Sequence, residues 1–327
     1  MYIIDFLKLM PGDIILTRDD SPGSLNIRKQ SNAEYSHALI AIDRSCYIES
    51  DGLGVQAGNF QRKLFHSIDD AVALRMSTPL KENERETIEI FARLTIGTEY
   101  SALEARRAIK EQPNTAVNPN RQYCTRFVAQ AYKAANINIV NNPDYCTAQE
   151  ILTSTILMKV PAVVRIATNE EINFTKSNSI LPTQTEITAC LFEGINNSLK
   201  TDIQTFQQTL DYLDKHPEDD PVIANQLKAS GYLSMWQINK QNNLWQYDYS
   251  SLKSICTSDE EIIARANFLI ENHNCAVGRY FTNLITISEY YKRNKLETFK
   301  LFEDLYETLI HESMISHAVG EIALKNI

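Results

Sequence analysis

No uncharged apolar run in this 327-residue chain approaches the roughly eighteen residues that a membrane span requires, so a transmembrane helix is not expected. The opening Met1-Tyr2-Ile3-Ile4-Asp5-Phe6-Leu7-Lys8 lacks the basic region and long apolar core of a signal peptide. A soluble chain is expected, cytoplasmic or delivered without a cleaved signal. The six cysteines (46, 124, 146, 190, 256, 275) form no CxxC pair, and no histidine stands at zinc-finger spacing. That argues against a disulfide framework or structural metal, and no cofactor is expected. A basic excess is also missing. Residues 1–170 hold 19 Lys and Arg against 20 Asp and Glu, and residues 171–327 hold 13 against 21. An acidic second half is a poor surface for nucleic acid or anionic lipid, both of which need a basic footprint. There is no internal repeat and no low-complexity tract.

What is present divides at about residue 170. The first part mixes strand and helix signals. Met10 to Thr17 reads as a turn feeding a strand, Ser36 to Ile42 and Cys46 to Ser50 as a hairpin, and Ala71 to Met76 as a further strand. Gly52, Gly54 and Gly58 mark turns, while Glu82 to Ile96 and Ser101 to Lys110 read as helices. Thr147 to Glu150 has capping-box spacing, and Met158 to Ile166 reads as a last strand, with Pro161 indicating an edge. Residues 167–186 are polar and irregular and read as a linker. Beyond them glycine is sparse, four residues in all, and helical patterns recur over 187–199, 201–213, 258–271, 277–293, 296–309 and 312–324. The expected architecture is an α+β domain over 1–170 followed by an all-helical domain over 171–327.

Arg121 to Tyr132 carries the chemistry. A loop rich in Pro and Asn, Pro113 to Asn120, precedes it, and Asn136 is a plausible stop, so Cys124 falls in the first turn of a helix. Steps of three and four from Cys124 reach Phe127, Val128, Ala131, Tyr132 and Ala135, which puts the thiol on the stripe that faces the core. A helix N-terminus favours a thiolate by about 0.3 to 1 kcal/mol, or about 2 when partly buried. That lowers a thiol from about 8.5 to between about 7 and 8, so strong activation also needs a histidine. The hairpin supplies one. With Asp43 central in a three- or five-residue loop, paired positions sum to about 86, and His37 lies directly opposite Glu49 on one face; a one-residue slip would separate them. Asp51 shares the parity of Glu49 and is the rival acceptor, and His66 is a spare base. Tyr123 and the Cys124 amide would lie near an oxyanion. The other five cysteines read as ordinary thiols, and Trp236, Trp245, Tyr247 and Tyr249 as helix packing.

Pro-Gly-Asp-Ile-Ile at 11–15, Ser-His-Ala-Leu-Ile at 36–40, Tyr-Ile-Glu at 47–49, Gly-Val-Gln at 54–56 and Tyr-Cys-Thr with Val-Ala-x-Ala-Tyr at 123–132 together resemble the YiiX-like branch of the circularly permuted NlpC-type papain-like cysteine peptidases. The resemblance covers roughly 10–166. It implies a fold in which the histidine strand precedes the cysteine helix, with Cys124 as nucleophile, His37 as base and Glu49 as third member. Gly97 to Ser101 is similar to the family's Gly-x-x-Tyr-Asp turn, with Tyr100 in the tyrosine position. Two stretches depart from the pattern: Thr125-Arg126-Phe127 stands where Ser-Glu-Leu is common, and Ser101 replaces the aspartate. Tyr123, Tyr100 and Arg126 are the candidate substrate contacts, Arg126 toward an acidic group. The expected activity is hydrolysis of an amide or ester bond in a peptide, isopeptide or acyl-lysine. The alternatives are thiol-dependent acyl transfer on the same fold, or an inert binding module. In the last case the acidic helical half would recruit a protein partner.

Overall fold

The computed structural model describes residues 1–43, 45–110, 118 and 120–327. Most of the expected Pro113 to Asn120 loop, and Arg44 in the hairpin connection, lie outside them. The chain forms two compact units, Met1–Leu181 with Gln204–Phe206, and Pro182–Ile203 with Gln207–Ile327.

The first unit contains β1 (Tyr2–Ile4), β2 (Ile14–Thr17), β3 (His37–Ala41), β4 (Cys46–Asp51), β5 (Gly54–Asn59), β6 (Leu64–Phe65), β7 (Ala71–Met76), β8 (Leu157–Lys159) and β9 (Val164–Ile166). Its helices are α1 (Pro22–Ser31), α2 (Glu82–Leu94), α3 (Ala102–Ile109), α4 (Cys124–Ala134), α5 (Ala148–Leu152) and α6 (Asn169–Thr175). Six strands pair antiparallel in the order β5-β4-β3-β2-β7-β8, and three in the order β6-β1-β9. Both faces of the larger sheet are covered, which explains why its strands read as continuous apolar runs. Ile14, Leu16, Ala38, Ile40 and Ile48 pack with Phe127, Val128, Ala131 and Tyr132 of α4. Ile15, Leu39, Ala41, Tyr47 and Ala73 face the opposite way, with Phe60 and with Ile4 and Val164 of the smaller sheet.

Two features anchor this sheet. Asp13, 1% exposed, takes both oxygens to Arg75 of β7, at 2.8 and 2.6 Å, and accepts from the Met10 amide at 2.9 Å. The turn before β2 is thereby tied to β7. At the other edge Gly54 has φ +102°, and a Cβ there would stand 2.7 Å from the Thr98 carbonyl oxygen, so only glycine fits this approach. The Val55 amide donates to Thr98 O at 2.8 Å and the Gly97 amide to Val55 O at 2.9 Å, which ties the segment leading to Tyr100 against β5.

Residues 167–186 are not a bare linker: Thr168 and Glu171 form a reciprocal capping box that starts α6. Gly54 and Gly58 lie within β5, and the expected strand over 158–166 is two short strands in different sheets. In the second unit, α7 (Leu181–Leu199), α8 (Phe206–Leu213), α9 (Asp220–Ala229), α10 (Met235–Asn242) and α11 (Tyr249–Ile255) precede α12 (Asp259–Asn294) and α13 (Glu297–Lys325). The last two each replace a pair of expected helices, because polar breaks such as Asn272 to Asn274 lie on exposed or half-buried positions and do not interrupt the ladder. Leu252, Ile262, Ala266, Leu269, Val319 and Ala323 form a core between α11, α12 and α13, and Gly320 lets α13 approach the Ala266 carbonyl.

Removing one partner of a buried ion pair strands the other charge. Arg75→Met is therefore expected to destabilise the protein by about 3 to 5 kcal/mol in urea unfolding; a loss below about 1 kcal/mol would remove Asp13 as an anchor.

Candidate active site

Helix α4 begins at Cys124 with Tyr123 in the N-cap position, and no side chain caps its first turn. The first amides of a helix have no intrahelical partner, so this end presents backbone donors beside the thiol. The approach to it is fixed from several sides. The Gln122 amide donates to Glu99 O at 2.9 Å, and the Ser101 amide to Gln122 O at 2.7 Å; Tyr100 and Gln122 form a parallel bridge. Thr125 Oγ1 donates to Cys146 O at 2.6 Å. Cys124 is 7% exposed, with its sulfur 4.0 Å from the Ser36 carbonyl oxygen, one residue before His37.

His37 Nε2 lies 2.8 Å from Glu49 Oε2, and Cys124 is near enough to favour the protonated form of its ring. With Nε2 on the carboxylate, Nδ1 is the nitrogen left for the thiol. Glu49, 7% exposed, also accepts from Lys63 Nζ at 3.2 Å on the same oxygen. Burial is the largest single influence on His37 and opposes its charge, but Cys124 and then Glu49 outweigh it and lift the imidazole to about 10. Burial likewise opposes ionisation of Glu49. The hydrogen bond and charge of His37, supported by Lys63, hold that carboxyl down at about 2. Opposite charges at short range in a poorly solvated site favour the ionised forms of both.

The hairpin brings these residues together in a register different from the one expected. Leu39, not His37, stands opposite Glu49, so paired positions sum to 88 rather than 86. A shift by an even number preserves the face, and the His37–Glu49 bond spans a diagonal instead of a direct pair. Asp51 does not take over: its oxygens accept from the Leu53 amide at 2.9 Å and from Gln56 Nε2 at 2.8 Å. His66 is exposed just beyond β6.

Of the expected substrate contacts, Tyr100 is half-buried at the site. Burial, followed by the charges of Cys124 and Asp51, pushes its phenol up. Tyr123 faces inward at 2% exposure, donating to Asp144 O at 3.1 Å and accepting from the Cys146 amide at 3.1 Å. Its hydroxyl is already used on both sides, so its place is structural support for the helix start. Arg126 is 0% exposed; it lies 3.4 Å from Glu104 Oε2 and 5.8 Å from the Tyr145 ring centroid. Its Nε and Nη2 are buried and make no hydrogen bond among the described residues. Sequence reasoning missed Lys63, which lies outside the β3–β4 hairpin and carries no local signal of contact with Glu49.

No family model and no curated protein matches the chain. Among solved structures it is similar to the metalloprotein yiiX from Escherichia coli O157:H7, at 17% identity and a TM-score of 0.38 over 47% of this chain and 97% of that one.

The two shifts define a pH window. Glu49, lowered from 4.5, contributes stability that is complete above about 4.5 and lost as pH falls through about 2. His37, raised from 6.5, contributes stability that is complete below about 6.5 and lost as pH rises through about 10. Urea unfolding should therefore show Glu49→Gln most destabilising between about 4.5 and 6.5, with the deficit shrinking toward about 10 and about 2. A pH-independent deficit would show that the pair is not ionic.

Proposed function

We propose that this chain is a thiol-dependent hydrolase of amide or ester bonds, built on the permuted papain-like plan of the YiiX-like branch. The observation that carries the reading is the His37 Nε2–Glu49 Oε2 bond of 2.8 Å beside Cys124, which opens an uncapped helix with its sulfur 4.0 Å from the carbonyl oxygen of Ser36, the residue before His37. The order of the motifs from Pro11 to Tyr132 supports it.

In this scheme the Cys124 thiolate attacks the substrate carbonyl carbon, forming a C–S bond and moving the carbonyl π electrons onto oxygen. The amides of the α4 first turn, beginning with that of Cys124, would stabilise the developing oxyanion. The His37 imidazolium gives its proton to the leaving nitrogen or oxygen as that bond breaks, leaving a thioester and a neutral imidazole. Water then loses a proton to His37 and attacks the thioester carbonyl. Collapse releases the carboxylic acid product and restores the thiolate and imidazolium. Glu49 keeps the ring in the tautomer that aims Nδ1 at sulfur throughout. In this scheme Tyr100, half-buried and bridged to Gln122, would contact the substrate.

With p-nitrophenyl acetate, the expected result is a burst of nitrophenolate stoichiometric with enzyme and a transient acetyl group on Cys124, detected by mass spectrometry and absent in Cys124→Ala. Continued turnover in water alone supports the hydrolase; turnover that requires an added amine or alcohol favours an acyltransferase. Absence of Cys124 acylation in folded protein contradicts both and leaves the binding-module reading.

A further inference from the structure

Lys63 follows a short turn of helix over Phe60–Arg62 that is held on two sides. Phe60 is fully buried, its ring 4.8 Å from that of Tyr47. Arg62 donates to Ser177 O at 2.7 Å and Asn178 O at 2.8 Å, with its guanidinium 4.4 Å from the Phe174 ring centroid. The backbone at Lys63 is thereby fixed, which lowers the entropy cost of holding a long side chain in one place. Its ammonium lies 5.2 Å from the Tyr47 ring centroid and 3.2 Å from Glu49 Oε2. Gly58 gives Tyr47 its position, because a Cβ there would come within 2.1 Å of the ring.

Lys63 and His37 therefore meet on one carboxylate oxygen, with Glu49 lying between the imidazole and the ammonium. A carboxylate shared between two cations is held in place by both, and each cation reduces what it gives the other. We propose that Lys63 is a fourth, positioning member of this site, which fixes Glu49 and draws part of its charge away from His37, keeping the imidazolium a ready proton donor to the leaving group. The inference rests on the hydrolase reading and deepens it. The other groups acting on the chain are Asp19, which senses His37, Tyr47 beside Glu49, and Tyr100, which senses Cys124 and Asp51. Asp19 and Asp51 are held by Ser21 and by Leu53 and Gln56, respectively. Lys63 makes the cationic contact to Glu49 besides His37 among the described residues, and its side chain is 26% exposed.

The test is an NMR titration of the His37 Cε1–H resonance in the full chain, comparing wild type with Cys124→Ala, Lys63→Met, Lys63→Gln and Lys63→Arg. Wild type is expected to titrate near about 10. Removing the Lys63 charge should strengthen the Glu49–imidazolium attraction and move the inflection upward by about half a pH unit or more, roughly a threefold loss of acidity. Lys63→Gln, which keeps a donor but no charge, should move it like Lys63→Met, and Lys63→Arg should restore the wild-type value. Urea midpoints confirm that each variant is folded. If Cys124→Ala lowers the His37 inflection while Lys63→Met and Lys63→Gln leave it unmoved or lower it, the Lys63 inference fails and the hydrolase reading stands. If Cys124→Ala has no effect, the coupled dyad itself fails.

Discussion

The Glu49 carboxylate is the constraint on which the site depends. An ionised carboxylate removed from water is costly unless it is paired and hydrogen-bonded, and Glu49 sits at 7% exposure in the middle of β4. Its bonds to His37 and Lys63 satisfy it, and in doing so determine the orientation of the imidazole. Once Nε2 is committed to the carboxylate, Nδ1 is the remaining ring nitrogen. The orientation of the His37 ring thus follows from the need to accommodate one buried charge.

The surrounding fold makes that accommodation rigid. The central sheet is packed on both faces, with α4 on one and the smaller sheet on the other, so β3 and β4 cannot slide without moving two cores. The Gly54 approach brings the segment before Tyr100 against β5, and the Tyr100–Gln122 bridge joins it to the start of α4. Arg126 and Tyr123 belong to this scaffold. Glu104, 3% exposed, gathers Tyr145 at 2.6 Å, Arg107 at 2.7 Å and Arg126 at 3.4 Å beneath the helix.

Residues governed by local periodicity were legible in the sequence. The stripe from Cys124 to Tyr132 placed the helix face, and the two-residue period of strands placed His37 and Glu49 on one side of the hairpin. The exact register is not legible, because the position of Asp43 marks the turn centre only to within a residue, but an even-numbered shift leaves faces unchanged. The capping box at Thr168 to Glu171 is written in the sequence, but its polar surroundings resemble those of a linker. Lys63 and the inward turn of Arg126 depend on contacts across the fold, such as Glu49 with Lys63 and Arg126 with Glu104, which no local pattern reports. The helical unit was legible in type but not in segmentation, since a long amphipathic helix tolerates polar residues on its exposed face.

The central claim is that His37 activates Cys124, and the most direct measurement is site-resolved alkylation of Cys124 by iodoacetamide as a function of pH in wild type and His37→Ala. The account predicts rapid reaction of the wild-type thiol well below pH 7. In His37→Ala the rate at pH 6 should fall by about tenfold or more, with reactivity returning only in the range of an ordinary thiol, near about 8.5. Identical pH profiles in the two folded proteins would contradict the account, because they would show a thiol that does not depend on the imidazole beside it.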